Sequence, residues 1–189
     1  MWVKGMSDDR MKEVINICLD HFVENGLDSS TRSLSAALKL QNAGLYYYFE
    51  SKDDAVVACA EAAAIRLEEA LLSSALKDLN DLDLMFKQLQ VRADKMTSTM
   101  RFLVSVCVND KYKESMKPVL DRLNERYEHY AEMIAEKLKC SKDDIAPYVY
   151  MVITAVANYM IFAEDVFISP QMQIAKKAIL SFSKVTDIH

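Results

Sequence analysis

The sequence predicts an all-α protein, with an N-terminal three-helix helix-turn-helix domain and a C-terminal helical domain. The 189 residues include only three glycines and three prolines, so little interrupts helices, whereas the strong helix formers alanine, leucine, lysine, glutamate and methionine are plentiful. Apolar residues also recur at helical spacing. We expect the domains to span residues 1–52 and 53–189, because a chain of this length can bury a sizeable core.

The first helix is predicted from about Ser7 to Asn25. Its apolar residues follow the i, i+3, i+4, i+7 spacing of one buried helix face: Met11, Val14, Ile15, Cys18, Leu19, Phe22 and Val23. Gly26 should end this helix, because glycine readily adopts the left-handed conformation of a helix terminus. Ser29, Ser30 or Thr31 is then a suitable N-cap for a short second helix.

A third short helix is predicted from Gln41 to about Phe49, after a turn near Lys39. Ser51 is a good N-cap for a fourth helix that continues to about Leu76. Adjacent residues of a helix differ by about 100°, so the aromatic run 46–49 cannot all point inward. We expect its second half to be core and its first half to face solvent or a partner.

Beyond residue 78 the sequence predicts helices over 82–95, 98–108, 118–139, 144–165 and 170–184. Pro118 and Pro170 suit first-turn positions, where a missing N–H costs nothing. The stretch 145–163 has no charge and approaches the length of a membrane span, but its proline, asparagine and tyrosines favour a helix buried inside the protein or between two copies. Apolar residues on several faces of 144–165 and 170–184 favour a homodimer.

Several function classes are disfavoured by composition. The four cysteines and three histidines are scattered without metal-ligand spacing, which indicates reduced thiols and neither a metal nor another cofactor. No nucleophile elbow or phosphate-binding loop is visible, so we expect no catalytic residues and no enzyme. The N-terminus lacks the pattern of a signal peptide, and a cytoplasmic location is expected.

The formal net charge of −5 argues against nucleic acid, because phosphate binding depends on Lys and Arg. Local charge is more favourable: between Ser30 and Lys52, three bases are opposed only by Glu50. The same stretch has the side chains that a helix in the major groove needs, small or polar residues for base edges and flanking groups for phosphates. Gln41 and Asn42, in particular, suit paired hydrogen bonds with adenine.

The order Ser30-Thr31-Arg32-x-Leu34, followed by Leu45-Tyr46-Tyr47-Tyr48-Phe49-x-Ser51-Lys52, resembles the TetR family of transcriptional regulators. The resemblance implies a homodimer that binds a double-stranded DNA operator and dimerises through its last two helices. It also implies a small-molecule effector in the C-terminal domain. Leu34, Leu40, Leu45 and Phe49 would pack the small core, and the residues implied at DNA are Thr31, Arg32, Gln41, Asn42, Ala43, Gly44, Tyr46, Tyr47 and Lys52.

Three residues depart from the family pattern. Lys39 stands where glycine is usual, so it must adopt a positive φ or the turn must differ. Gly44 replaces a hydroxyl residue and costs about 1 kcal/mol of helix propensity. Glu50 stands where a base is frequent. These departures indicate modest DNA affinity or an unusual operator.

The C-terminal part is rich in aromatic residues and methionine, which line adaptable apolar pockets. Phe86, Phe102, Tyr127 and Asn158 are the candidates for effector binding. The predicted function is a ligand-responsive repressor, in which the effector pivots the fourth helix and changes the separation of two DNA-reading heads. The alternatives are a helical interaction protein that has lost DNA binding and, more distantly, a membrane-associated helical protein.

Overall fold

The structure is a computed structural model that describes residues 8–41, 44–75 and 81–185. Within these residues the regular structure is entirely helical. Two 3-10 turns, Gly44–Tyr47 and Asp165–Phe167, accompany the α-helices. The α-helices are α1 (Asp8–Asn25), α2 (Thr31–Ala37), α3 (Lys52–Ala75), α4 (Leu82–Cys107), α5 (Lys113–Leu138), α6 (Lys142–Phe162) and α7 (Ser169–Val185).

The chain packs as two compact units. The first unit contains the chain up to Arg66 together with Ser98–Val119, and the second contains Leu67–Thr97 together with the chain from Leu120 onward. Helices α3, α4 and α5 therefore each contribute residues to both units. These units are defined by packing. The division into a DNA-binding domain over 1–52 and a ligand-binding domain over 53–189 concerns function and stays a prediction.

The core of the first unit is built on the apolar face of α1, as its spacing predicts. The ring of Phe22 stacks on that of Phe102, with centroids 5.8 Å apart. At the rim, Arg66 donates to Asp20 over 2.7 Å and to Asn16 over 3.0 Å. The fully buried side chains of this unit include Val14, Cys18, Leu19, Leu34, Leu45, Val56, Val106 and Met116.

Helix starts are capped largely as the sequence predicts. Ser30 accepts the backbone N–H of Ser33 at the start of α2. Ser51 accepts the N–H of Asp54 over 3.1 Å and returns its hydroxyl to the Asp54 carboxylate over 2.7 Å. Helix α6 starts two residues before the predicted residue 144, because Ser141 caps it through the N–H of Asp143. Each side-chain oxygen satisfies a donor that has no partner inside its own helix.

Two helices end with a lysine in the left-handed conformation, where glycine is usual. Lys39 has φ 58° and Lys139 has φ 55°. In each case the lysine and the next residue donate their N–H groups back to the last turn, in the pattern of a Schellman motif: Lys39 to Ala36, Leu40 to Ser35, Lys139 to Glu136 and Cys140 to Ala135. Of the two outcomes considered for Lys39, the structure has the positive φ.

The third helix differs from the prediction. Of the stretch 41–49, the structure describes a 3-10 turn at Gly44–Tyr47, while Asn42 and Ala43 lie outside the described residues. An α-helix at Gly44 would gain little, because glycine has poor helix propensity. The N–H of Gly44 instead donates to the carbonyl of Gln41 over 2.7 Å, an i to i+3 bond typical of the tighter helix.

Two further boundaries were predicted wrongly. The helices expected over 82–95 and 98–108 are the single helix α4, because no glycine or proline intervenes and the Thr97 hydroxyl donates to the Ala93 carbonyl over 3.2 Å rather than capping a new helix. Pro118 lies inside α5 rather than in its first turn. The helix starts earlier because a turn precedes it directly: the N–H of Tyr112 donates to the Asn109 carbonyl, and α5 begins at the next residue, Lys113.

Helix α6 is apolar over most of its length. Among the described residues it is the helix long and apolar enough to cross a membrane, and only 28% of its most apolar window is buried within the chain. It ends at Phe162, and its C-cap Ala163 has φ 59° and donates its N–H to the Tyr159 carbonyl. Most of the other residues in that window are half-buried, and Phe162 at its end is exposed.

Replacing Lys39 with glycine should raise the free energy of unfolding by about 1 kcal/mol, because the left-handed conformation costs a residue with a Cβ about 1–2 kcal/mol. Urea denaturation followed by circular dichroism measures this change. Lys39→Ala removes the same charge and keeps the Cβ, so it should give no stabilisation. Equal effects of the two substitutions would contradict a strained backbone.

Candidate nucleic-acid interface and apolar cavity

Ser35 joins α2 to the turn Gly44–Tyr47. Its side chain is fully buried, its hydroxyl oxygen accepts the N–H of Leu45 over 3.2 Å, and its carbonyl accepts the N–H of Leu40 over 2.9 Å. A Cβ added to Gly44 would lie 2.3 Å from the Leu40 Cβ. The turn therefore lies against Leu40, in the loop after α2, at a distance that only glycine permits at position 44.

The aromatic run divides into an outer and an inner pair. Tyr46 is 54% exposed and Tyr47 63% exposed, whereas Tyr48 and Phe49 are buried. The ring of Tyr47 packs edge-on against that of Tyr48 at 5.1 Å, and Arg10 donates to the Tyr48 hydroxyl. The predicted division of the run is confirmed as a matter of side-chain burial.

A small polar network links α1 to the start of α2. The Ser33 hydroxyl donates to the Ser30 carbonyl over 2.8 Å, so the Nε2–H of His21 is the donor in the 3.1 Å contact with Ser33 Oγ. Asn25 lies 3.4 Å from the other ring nitrogen of His21. This network orients the first turn of α2, which carries the half-buried Thr31 and the exposed Arg32.

A second polar cluster lies at the start of α3, next to Lys52. Lys111 pairs with the Asp53 carboxylate at 2.7 Å, and the Tyr112 hydroxyl donates to the same oxygen over 2.9 Å. Lys111, and to a lesser extent Tyr112, lower the pKa of Asp53. The carboxylate thus stays ionised and is matched by a cation from a distant part of the sequence.

The predicted DNA-facing residues that the structure describes belong to the start of α2, to the turn Gly44–Tyr47 and the residue Gln41 before it, and to the start of α3. Gly44, Tyr46 and Tyr47 share one turn, the exposed Gln41 lies shortly before it, and the half-buried Lys52 begins α3. The expectation for Asn42 and Ala43 lies outside the described residues. Of the predicted small core, Leu34, Leu45 and Phe49 are buried, and Leu40 is half-buried.

Sequence reasoning missed the residues that support this surface. Ser35 follows Leu34 on the inner side of α2, and a serine there has no apolar signature that would mark it as buried. His21 belongs to α1 and Lys111 to the segment after α4, so their contacts span 12 residues or more. Only their polarity beside apolar positions could have drawn attention to them.

In the second unit, α3 contributes a nearly buried carboxylate, Glu68. One oxygen of Glu68 accepts the Arg126 Nε–H over 2.7 Å and the Tyr130 hydroxyl over 2.9 Å. Because both donors come from α5, the cluster ties α3 to α5. A carboxylate that loses its water needs such partners to remain buried and charged.

An apolar cavity of about 70 Å³ lies beside this cluster. The walls from α3, α4 and α5 are Leu72, Met85, Phe86, Leu89, Tyr130 and Ile134. The walls from α6 and α7 are Ile145, Tyr148, Val149, Val152, Ile153 and Ile179. Five helices thus line a space that is partly open to solvent and whose surface is almost entirely hydrocarbon.

Of the four residues predicted to bind an effector, Phe86 lines this cavity. Phe102 lies in the first unit, where its ring packs on Phe22. Tyr127 and Asn158 are half-buried residues of the second unit outside the cavity wall, and burial raises the pKa of Tyr127. Of the four, Phe86 is the one that lies in the wall of this cavity.

Sequence comparison identifies no matching protein family model and no matching curated protein. Comparison of structures does find matches. A transcriptional regulator from Rhodococcus sp. RHA1 has a TM-score of 0.62 and 13% identity, over 90% of this chain and 92% of that one. A TetR-family regulator from Streptomyces coelicolor has a TM-score of 0.59 and 12% identity, over 97% and 83% of the two chains.

A third match is AibR, in complex with isovaleryl coenzyme A and operator DNA, with a TM-score of 0.53 and 14% identity over 92% of this chain and 98% of that one. These similarities cover nearly the whole chain. The protein thus has the fold of TetR-family transcriptional regulators, with an N-terminal helix-turn-helix and a C-terminal helical part. The predicted fold class and the resemblance to this family's fold are confirmed.

Tyr130→Phe should lower the free energy of unfolding by about 1–2 kcal/mol, because it removes a buried hydrogen bond to a carboxylate. Tyr150→Phe is the matched control: the Tyr150 hydroxyl also donates to a glutamate, Glu128, but at an exposed site. Its removal should change stability by less than about 0.5 kcal/mol. Urea denaturation of both variants tests the difference, and equal losses would contradict it.

Proposed function

We propose that this protein is a cytoplasmic transcriptional regulator that binds operator DNA as a homodimer and responds to a small-molecule effector. The observation that carries the proposal is the pair of exposed tyrosines, Tyr46 and Tyr47, on a turn whose backbone is bonded to the buried Ser35. Two large side chains kept outward by a rigid turn suit a partner surface better than solvent.

The proposed DNA contacts divide into two kinds. Gln41 and Arg32 have the donor groups for base edges, and Gly44 permits close approach of the turn. Tyr46, Tyr47 and Lys52 supply hydroxyl and ammonium groups for phosphates. Thr31, Asn42 and Ala43 complete the proposed surface. The fold supports this assignment, because the AibR neighbour is a complex with operator DNA.

Effector binding is proposed for the C-terminal part, from about residue 53 onward. The AibR neighbour also contains isovaleryl coenzyme A, and the second unit of this chain has an apolar cavity lined by five helices. Leu72 of α3 lies in the cavity wall, on the same helix as Lys52. An effector that moves α3 would therefore act on the helix that follows the proposed reading turn.

The proposed homodimer uses α6 and α7. Most of the apolar window of α6 is only half-buried within the chain, and the exposed apolar residues at the end of α6, after it and on α7 include Phe162, Val166, Ile174 and Leu180. Pairing these two helices with their copies would bury this surface in a four-helix interface. A two-fold dimer would also present two reading surfaces to successive major grooves.

A second candidate is an interaction protein of the same fold without specific DNA binding. The net charge of −5 and the exposed Glu50 beside Lys52 favour it. The two functions differ in whether the protein distinguishes one DNA sequence from another.

Arg32→Ala and Tyr46→Ala should each weaken binding to the DNA upstream of the protein's own gene, the former about tenfold or more, because a base contact contributes about 1–3 kcal/mol. Lys52→Ala should weaken binding to all sequences and reduce the salt slope by about one. Fluorescence anisotropy at several salt concentrations measures both effects, with circular dichroism to verify folding.

Lys87→Ala, an exposed lysine of α4, is the control and should leave DNA affinity unchanged. Equal affinity of the unaltered protein for the upstream fragment and a shuffled duplex would reject specific binding and favour the interaction protein.

Ile174→Glu should convert the dimer to a monomer, because it would bury an unpaired carboxylate in the interface and weaken association about a hundredfold or more. Leu84→Glu is the control, since Leu84 is an exposed apolar residue of α4 outside the proposed interface. Analytical ultracentrifugation distinguishes the species. A dimer that survives Ile174→Glu, or dissociates equally with Leu84→Glu, would place the interface elsewhere.

A further inference from the structure

The cavity of the second unit has a chemistry that restricts its ligand. Among its lining residues there is no aspartate, glutamate, lysine, arginine or histidine. Its polar groups are the hydroxyls of two tyrosines, and that of Tyr130 already donates to Glu68. We propose, resting on the proposed function, that the effector inserts an uncharged hydrocarbon end of about four carbons here, with its polar part outside.

The exclusion of charge follows from the walls. A carboxylate or ammonium group in an apolar cavity loses its hydration, and nothing in this lining replaces it. Tyr130 cannot compensate without breaking its bond to Glu68, which would in turn deprive a buried carboxylate of a donor. Tyr148 has its ring edge-on to Phe182, with centroids 6.1 Å apart. Apolar contact is therefore the dominant source of affinity.

The size of the hydrocarbon follows from the volume. A dry apolar cavity of about 150 Å³ accommodates benzene, and this cavity has about half that volume, 70 Å³. A linear or branched alkyl group of about four carbons fills this space, whereas most of a fused ring system would extend out through its open side. The ligand class is thus a short alkyl or acyl chain rather than a steroid-like or polycyclic molecule.

The position of the cavity gives the ligand a way to act. Leu72 and Glu68 are four residues apart on α3, and so lie on one face of that helix. A hydrocarbon that contacts Leu72 and Tyr130 therefore touches the residue one turn along from Glu68 and the residue that donates to it. A ligand in the cavity therefore contacts residues next to the hydrogen bonds from Arg126 and Tyr130 to Glu68, which connect α3 to α5.

A series of 1-alkanols from propanol to heptanol, added to the full-length protein, tests this inference. Methyl-labelled methionine is the NMR probe: Met85 lines the cavity, and Met116, in the core of the first unit, is the internal reference. Affinity should increase about fourfold per added methylene and level off beyond about four carbons. Carboxylates of equal length should bind at least tenfold more weakly.

Val152→Phe should fill the cavity and abolish the alkanol-dependent shift of Met85. Val91→Phe makes the same substitution at an exposed position of α4 and should preserve it. Shifts that persist in Val152→Phe, carboxylates that bind as well as alkanols, or no alkanol binding at all would overturn the inference. A further outcome would also overturn it: no alkanol binds to the unaltered protein, and sedimentation shows that Val152→Phe disrupts the dimer. The residues that line the cavity would then belong to a protein interface.

The NMR titration needs no DNA, so its result is independent of the proposed function. Loss of specific operator binding with alkanol binding intact would reject the regulator and leave the ligand class in place. The reverse result would reject the ligand class alone.

Discussion

The geometry of the turn Gly44–Tyr47, which carries the tyrosines proposed to contact DNA, depends on one buried serine. Ser35 accepts two backbone N–H groups, that of Leu40 at its carbonyl and that of Leu45 at its hydroxyl. The first bond closes α2 and the second attaches the following turn to the same point. A hydroxyl in a fully buried site is stable only when it is bonded, so the backbone on both sides of the loop is determined together.

Other features of the surface follow from this closure. Lys39 must take a positive φ for Leu40 to reach back to Ser35, and Gly44 must lack a side chain because Leu40 occupies the space. With Leu45 fully buried, the next two tyrosines point outward and Tyr48 and Phe49 return to the core. The helix propensity lost at Gly44 is thus offset by a close approach that no other residue permits.

Helical periodicity was sufficient to predict α1 and the approximate limits of α6 and α7, because one-sided burial leaves a pattern in the sequence, and the capping residue Ser51 was sufficient to predict the start of α3. It was insufficient for α4, where threonine and serine, common at helix starts, lie in the interior. It also could not place Phe102, since an aromatic residue at helical spacing is equally suited to a core and to a pocket. Contacts such as Lys111 with Asp53 join residues far apart in sequence, and no local pattern encodes them.

The net charge of the chain is a poor guide to the charge at the proposed DNA surface. Interactions between exposed charges are largely screened beyond about 10 Å at moderate salt, so acidic residues elsewhere have little effect there. At the start of α3, Lys111 neutralises the Asp53 carboxylate beside Lys52. The local balance is therefore more positive than the sequence from residue 30 to 54 indicates. With few bases available, DNA affinity would rely more on hydroxyl and amide contacts, and would depend less on salt, than in strongly basic proteins.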